Sequence, residues 1–243
     1  MPLSKGNLQI LKQNFQWPSS KPSFQEVNWV LDGGGRHLVS KKIDRELPFL
    51  IIEIGSFLGS SIKTWLKNSP NTYVIAIDPW QDGWPEEYAK KHGRDDVAKQ
   101  FSKKNGLYNT FISSLWEYKE QIFPVRGRSP EKLYDIAELG IVPDLIYFDA
   151  EKDGNDIEVA HKLFPDAIIA GDDWTWGIAK GYPIRKAVES FTKKNDYMVV
   201  SDRATWILKK NNLSVRDRLY NILNKFRDYV RIIKNYLPKI ERT

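Results

Sequence analysis

The stretch Glu53-Ile54-Gly55-Ser56-Phe57-Leu58-Gly59-Ser60-Ser61 follows directly on the apolar run Phe49-Leu50-Ile51-Ile52. A short β-rich run ends in an acid, two glycines flank a tight turn, and two serines open a helical pattern. Because neither glycine carries a Cβ, such a turn lets backbone N–H groups at a helix N-terminus come close to a ligand. The next apolar run, Tyr73-Val74-Ile75-Ala76-Ile77, ends at Asp78. An acid at the tip of a second strand lies near the spacing at which a nucleotide-binding α/β fold holds a ribose.

Outward from this turn, strand-like runs recur at 49–54, 73–78, 121–125, 145–149, 167–170, 197–200 and 204–208. Helical patterns fill most of the gaps, at 60–67, 86–104, 111–120, 130–139, 155–163 and 183–194. Such alternation predicts an α/β fold, a mostly parallel sheet with helices on both faces. Only Ser201-Asp202-Arg203 joins the last two strands. That is too short for a parallel crossover, so the sheet must close with an antiparallel hairpin.

The chain divides into an N-terminal extension (1–47), a central domain (48–210) and a basic amphipathic helix (211–243). The extension, with Gly33-Gly34-Gly35, resists assignment. Hydrophobic content of 41% and a mean hydropathy of -0.50 describe a soluble globular protein. No apolar run reaches membrane-spanning length and no signal-peptide core follows Met1. The absence of cysteine excludes disulfides and thiolate metal sites, and fits a cytoplasmic enzyme.

Charge is uneven. Residues 211–243 hold eight Lys or Arg and three Asp or Glu, whereas the other 29 basic and 28 acidic residues nearly cancel. A nucleic-acid or anionic-membrane hint therefore belongs to the tail alone. Its apolar positions Leu219, Ile222, Leu223, Phe226, Val230, Ile233 and Leu237 form a helical stripe. Packing on its own domain or on a second subunit, giving a homo-oligomer, is favoured over a membrane-surface helix.

A second constellation lies downstream. The fourth strand runs into Asp149-Ala150-Glu151-Lys152-Asp153 and the fifth into Gly171-Asp172-Asp173-Trp174. C-terminal ends of adjacent parallel strands face one crevice, so Asp149, Asp172 and Asp173 should converge there. A divalent cation would relieve their repulsion, and all-oxygen ligation favours Mg²⁺, with Mn²⁺ or Ca²⁺ as alternatives. Taken singly, Asp149 equally suits a helix cap and Asp172-Asp173 a solvated turn; the set at adjacent strand ends favours a site.

With these motifs the chain resembles the class I S-adenosylmethionine (SAM) methyltransferases, and among them the cation-dependent O-methyltransferases of catechol and caffeoyl-coenzyme A type. The resemblance spans roughly residues 48–210. It implies a Rossmann-like seven-stranded sheet, metal ligation by Asp149, Asp172 and Asp173, and Lys152 as the base that deprotonates an acceptor hydroxyl. It implies SAM contacts from Glu53, Gly55, Ser56, Gly59, Ser60 and Asp78, with Trp80, Arg128, Ser129 and Asp149 completing the set.

Departures from the family pattern are also present. Asp173 stands where many members have Asn, and Leu163-Phe164-Pro165-Asp166 replaces the usual Pro-Gly-Gly approach. The Asp-Asp-Trp form is more similar to bacterial enzymes that tailor antibiotics or sugars, which points to a small-molecule or saccharide hydroxyl as acceptor.

Alternatives read from the residues are an NAD-dependent Rossmann enzyme, a non-catalytic nucleotide-binding module and a nucleic-acid methyltransferase. The first wants a third glycine that the turn lacks, and the last rests on the tail. Lys152 by itself reads equally as a solvated surface lysine; its spacing from Asp149 marks it. Trp80, Trp84, Trp174 and Trp176 fall just beyond strand ends, some to line an acceptor pocket and half to join the core. His37, His92 and His161 have no mutual metal spacing and read as structural or surface residues.

Overall fold

The computed structural model describes residues 3–210 except 28, 30–33, 68 and 151–153, together with positions 219, 222, 223, 226, 227 and 230. Seven strands form one sheet: β1 (Phe49–Ile54), β2 (Thr72–Asp78), β3 (Ile122–Arg126), β4 (Leu145–Phe148), β5 (Ile168–Gly171), β6 (Tyr197–Asp202) and β7 (Thr205–Lys210). Their order is β3-β2-β1-β4-β5-β7-β6. The first five are parallel, and β7 pairs antiparallel with both β5 and β6. The sheet expected from the sequence is the sheet observed, down to the closing hairpin.

Strand periodicity decides which face each side chain joins. On β1, Phe49 and Ile51 enter one core while Leu50, Ile52 and Ile54 enter the other. The first core is covered by α2 (His37–Ser40), α3 (Ser60–Leu66), α4 (Trp84–Lys91), α5 (Asp95–Phe101) and α6 (Gly106–Ser114). The second is covered by α1 (Lys5–Asn14), α7 (Glu131–Glu138), α8 (Asn155–Leu163) and α9 (Pro183–Lys194). All six β1 residues are buried, as expected of a central parallel strand with helices on both sides. Each fully buried Leu or Ile there contributes about 1.5–3 kcal/mol.

The helical stretch expected at 86–104 is two helices, because Gly93 turns the chain left-handed at φ 67 and α5 restarts in a new direction. The stretch at 111–120 begins earlier, as α6, and ends in a 3-10 turn at Trp116–Tyr118. Of the apolar strand residues that the sequence predicts for the core (Ile51, Ile52, Ile54, Val74, Ile75, Ile77, Leu145, Ile146, Phe148, Ile168 and Ile169), only Ile168 stays partly exposed. The unassigned extension supplies α1 and α2, and its Leu11, Val39 and Trp29 join the two cores.

Trp206 ties the hairpin to the site-bearing end of the sheet. It is fully buried, packs parallel to Phe148 with ring centroids 6.4 Å apart, and donates from Nε1 to the Asp172 carbonyl at 2.9 Å. Trp206→Ala is expected to lower the unfolding free energy by about 3–5 kcal/mol, read from urea denaturation.

Candidate active site

Winding reverses between β1 and β4. From β1 the chain builds outward through β2 and β3, and from β4 it builds the opposite way through β5. Ligand crevices of open α/β sheets form outside the C-terminal strand ends at such a switch point. A cavity of about 830 Å³ lies there, lined in part by Gly55, Ser56, Ser60, Asp78, Arg128, Ser129, Asp149, Asp172 and Asp173.

The turn after β1 is held open by its backbone. Gly55 adopts φ 88, and a Cβ on it would meet the Asp149 carbonyl oxygen at 2.3 Å. This contact lets the ends of β1 and β4 lie side by side. Gly59 has φ 72, and its Cβ would lie 2.4 Å from Leu115 Cδ1. The Gly59 backbone therefore sits against α6, under the turn, and outside the cavity lining.

Asp78 is pinned as a receptor. Its Oδ2 accepts the Phe57 N–H at 3.0 Å and its Oδ1 the Trp80 N–H at 2.6 Å. Burial raises its pKa, against the two backbone amides and the Arg128 charge. Arg128 itself donates to Gln81 Oε1 at 3.2 Å, and both residues line the cavity.

Glu53 stands behind the turn, fully buried. Its Oε1 accepts a short hydrogen bond from Ser61 Oγ, while Oε2 has no hydrogen-bond partner among the described residues. Burial pushes its pKa up to about 7; Ser61, Ser56 and Arg36 work against that, and Asp78 adds to it. Arg36 reaches the site from the N-terminal extension, donating from Nη1 to Ser60 Oγ at 3.2 Å. Its segment is docked on the hairpin, where Thr205 Oγ1 donates to the Gly34 carbonyl at 3.0 Å and His37 Nε2 lies 3.4 Å from Asp202.

The carboxylates beyond β4 and β5 share one electrostatic environment. Tyr147, buried in the sheet, has its hydroxyl pKa raised well above 10 by burial and then by the charges of Asp172 and Asp149. Tyr88 is raised by burial and then by Asp173 and Asp149. Asp172 Oδ1 accepts the Asp173 N–H at 3.0 Å, and Asp173 takes the left-handed φ of 64. Among the described residues, no three His, Asp or Glu side chains are grouped closely enough to hold one ion. Lys152 lies outside the described residues.

The opposite wall is aromatic. Trp29 stacks on Tyr88 at 5.6 Å and meets Phe57 edge-on at 5.9 Å; Trp84 lies 5.9 Å from Phe57 and 5.7 Å from Tyr88. All four line the cavity, as does Trp176. The four tryptophans beyond strand ends divide evenly: Trp84 and Trp176 face the cavity, whereas Trp80 and Trp174 are buried. Trp80, expected beside the cofactor, packs on Phe111 at 4.6 Å and donates from Nε1 to the Phe57 carbonyl at 2.8 Å. It braces the turn from below. The sequence did not mark Trp29, Arg36, Phe57 or Tyr88 as cavity residues, although Phe57 sits within the Gly55–Gly59 turn and Arg36 directly follows the glycine run 33–35.

No family model and no curated protein matches the chain. Solved structures similar to it include a provisionally named caffeoyl-CoA O-methyltransferase of Staphylococcus aureus, 16% identical, covering 72% of this chain and 80% of that one with a TM-score of 0.49. An O-methyltransferase from Bacillus cereus in complex with SAH is 18% identical over 71% of this chain and 76% of its own, with a TM-score of 0.48. A precorrin-6Y C5,15-methyltransferase from Geobacter metallireducens is 16% identical over 81% and 92%, with a TM-score of 0.45. At these identities and scores the likenesses carry no functional argument.

Glu53 sets a pH dependence whose sign follows from its raised pKa. Between the ordinary value of 4.5 and about 7 the folded state binds more protons than the unfolded state. Its contribution is therefore full below pH 4.5 and is lost as pH rises through 7. Glu53→Gln should remove this loss, so its thermal midpoint should gain on the parent protein's as pH goes from 5 to 8.

Proposed function

We propose that the protein is a SAM-dependent methyltransferase that methylates a hydroxyl of a small molecule or saccharide. The observation that carries this reading is the charge of the cavity. Five aspartates (Asp78, Asp149, Asp156, Asp172 and Asp173) and two arginines (Arg36 and Arg128) line it among the described residues. A net negative lining favours a sulfonium donor and opposes the diphosphate of NAD. It equally opposes a nucleic-acid acceptor, whose phosphates would have to approach the same carboxylates.

The cavity suits the cofactor in size and in polarity. SAM supplies a methyl group on a positively charged sulfur, so departure of the neutral thioether needs no acid. Asp78, fixed by two backbone amides, keeps lone pairs for ribose hydroxyls. Gly55 and Ser56 leave the backbone open to the methionine end, and Ser129 Oγ is a buried polar atom on the cavity wall with no partner among the described residues. The chain's contribution to rate is alignment: the aromatic wall holds an acceptor face while the strand ends hold its oxygen in line with the methyl group.

We further propose Asp149, Asp172 and Asp173 as holders of one Mg²⁺, with Mn²⁺ or Ca²⁺ as substitutes. Their donor chemistry suits a hard cation and all three line the cavity; holding one ion requires them to draw closer together than they stand. A cation there would lower the pKa of an acceptor hydroxyl. Lys152 is the proposed base, on its spacing from Asp149.

Calorimetry with SAM and with NAD tests the main reading: SAM should bind, Asp78→Ala should weaken it by at least about tenfold, and binding of NAD alone would overturn the assignment. Asp172→Asn should leave SAM affinity within about twofold while abolishing the part of turnover that Mg²⁺ restores after EDTA treatment. Lys152→Ala should lower the single-turnover rate by about 10²–10⁴-fold. Acceptors are found by screening hydroxylated compounds with labelled SAM.

A further inference from the structure

One charged side chain of the cavity comes from outside the sheet and its strand-end turns. Arg36 belongs to the N-terminal extension, is only 7% exposed and lines the cavity. The glycines before it hold it there. Gly34 and Gly35 take the left-handed φ values 84 and 95, and a Cβ on Gly35 would overlap the Asp202 carbonyl oxygen. The main chain therefore lies close against the β6–β7 turn, fastened by the Thr205 hydrogen bond to the Gly34 carbonyl. Directly after Arg36, Leu38 and Val39 of α2 anchor in the core. A guanidinium mounted on so fixed a root loses little freedom when it takes a ligand.

Arg36 stands at the β1–β4 end of the site. Its Nη1 donates to Ser60 Oγ at the start of α3, and its charge acts on Glu53 of β1 and Tyr147 of β4. The other arginine of the lining, Arg128, stands beyond β3. It donates to Gln81, acts on Asp78 and is exposed to solvent. Asp78 ends β2, the strand between β3 and β1.

A SAM molecule with its ribose on Asp78 has two ends to place, and charge decides which goes where. The sulfonium joins the ribose to the methionine part, and Asp149, Asp172 and Asp173 draw it toward the ends of β4 and β5. The uncharged adenine is left the β3 side. The methionine carboxylate is the one anion of an otherwise cationic ligand, and it arrives among acids. Of the two arginines in the described lining, Arg36 is the one on that side, and its burial shields a pairing from water.

We propose that Arg36 binds the carboxylate of the SAM methionine part, so that the N-terminal extension completes the cofactor site. This assignment rests on the SAM reading and goes beyond it, because the strand-end motifs offer the carboxylate no cation.

Calorimetry of the full chain with SAM and with decarboxylated SAM, which lacks only that carboxylate, tests the pairing. Arg36→Met should weaken SAM by at least about tenfold and leave decarboxylated SAM within about threefold of the parent value. Arg36→Lys, which keeps the charge without the fork, should recover part of the loss. Arg128→Met removes the other arginine of the cavity and should change both ligands by a similar factor. That comparison separates a direct pairing from a general shift in charge. Retained binding of decarboxylated SAM shows in addition that Arg36→Met is folded. SAM affinity unchanged in Arg36→Met, or equal weakening of both ligands, would overturn the proposal and leave the SAM reading standing. A parent protein that binds neither ligand would overturn both.

Discussion

The close approach of the β1 and β4 backbones, with Gly55 against the Asp149 carbonyl, is the constraint on which the rest of the site depends. It aligns the two strands where winding reverses, and it leaves a crevice because the helices that follow them pass to opposite faces. A side chain at position 55 would wedge the strand ends apart. Asp78, carried on the neighbouring β2, would then lose its fixed relation to Asp149, carried just beyond β4. One atom-sized vacancy therefore sets the mutual position of the groups that line the cavity.

Around that crevice, charge is distributed in two layers. The inner layer is buried: burial raises the pKa of Glu53 to about 7, and Arg36 lies near enough to oppose that shift. The outer layer is acidic, and its field reaches both Tyr88 in the aromatic wall and Tyr147 buried in β4. Such a division keeps the turn rigid while presenting a negative surface to whatever enters. It also gives the N-terminal extension a structural part in the site, because Arg36 and Trp29 belong to it and the β6–β7 turn holds it in place.

Much of the architecture was legible in the residues. The apolar runs fell within a residue or two of most strands, since short unbroken runs rich in Ile and Val, too short for helices, suit strands buried on both faces. Three residues between the last strands left only a hairpin. The helix at 86–104 was misjudged because an unbroken amphipathic pattern conceals a left-handed Gly93. Asp78, Asp149, Asp172 and Asp173 were found because strand-end acids have a meaning that topology supplies. Trp80 was misplaced for the converse reason: a strand-end aromatic has two faces open to it, and only packing against Phe111 selects the core.

By itself, then, the sequence determined the strand set, the parallel order implied by long connections, the final hairpin and the acids at the strand tips. These follow from local periodicity and chain length, which act over a few residues. Only the tertiary structure decided that Trp29, Arg36, Phe57 and Tyr88 share one cavity with those acids, and that the apolar stripe near the C-terminus is left uncovered at Leu219, Ile222, Leu223 and Phe226. Those facts depend on which surfaces meet once the sheet has closed, and contacts between residues far apart in the chain leave no local pattern to read.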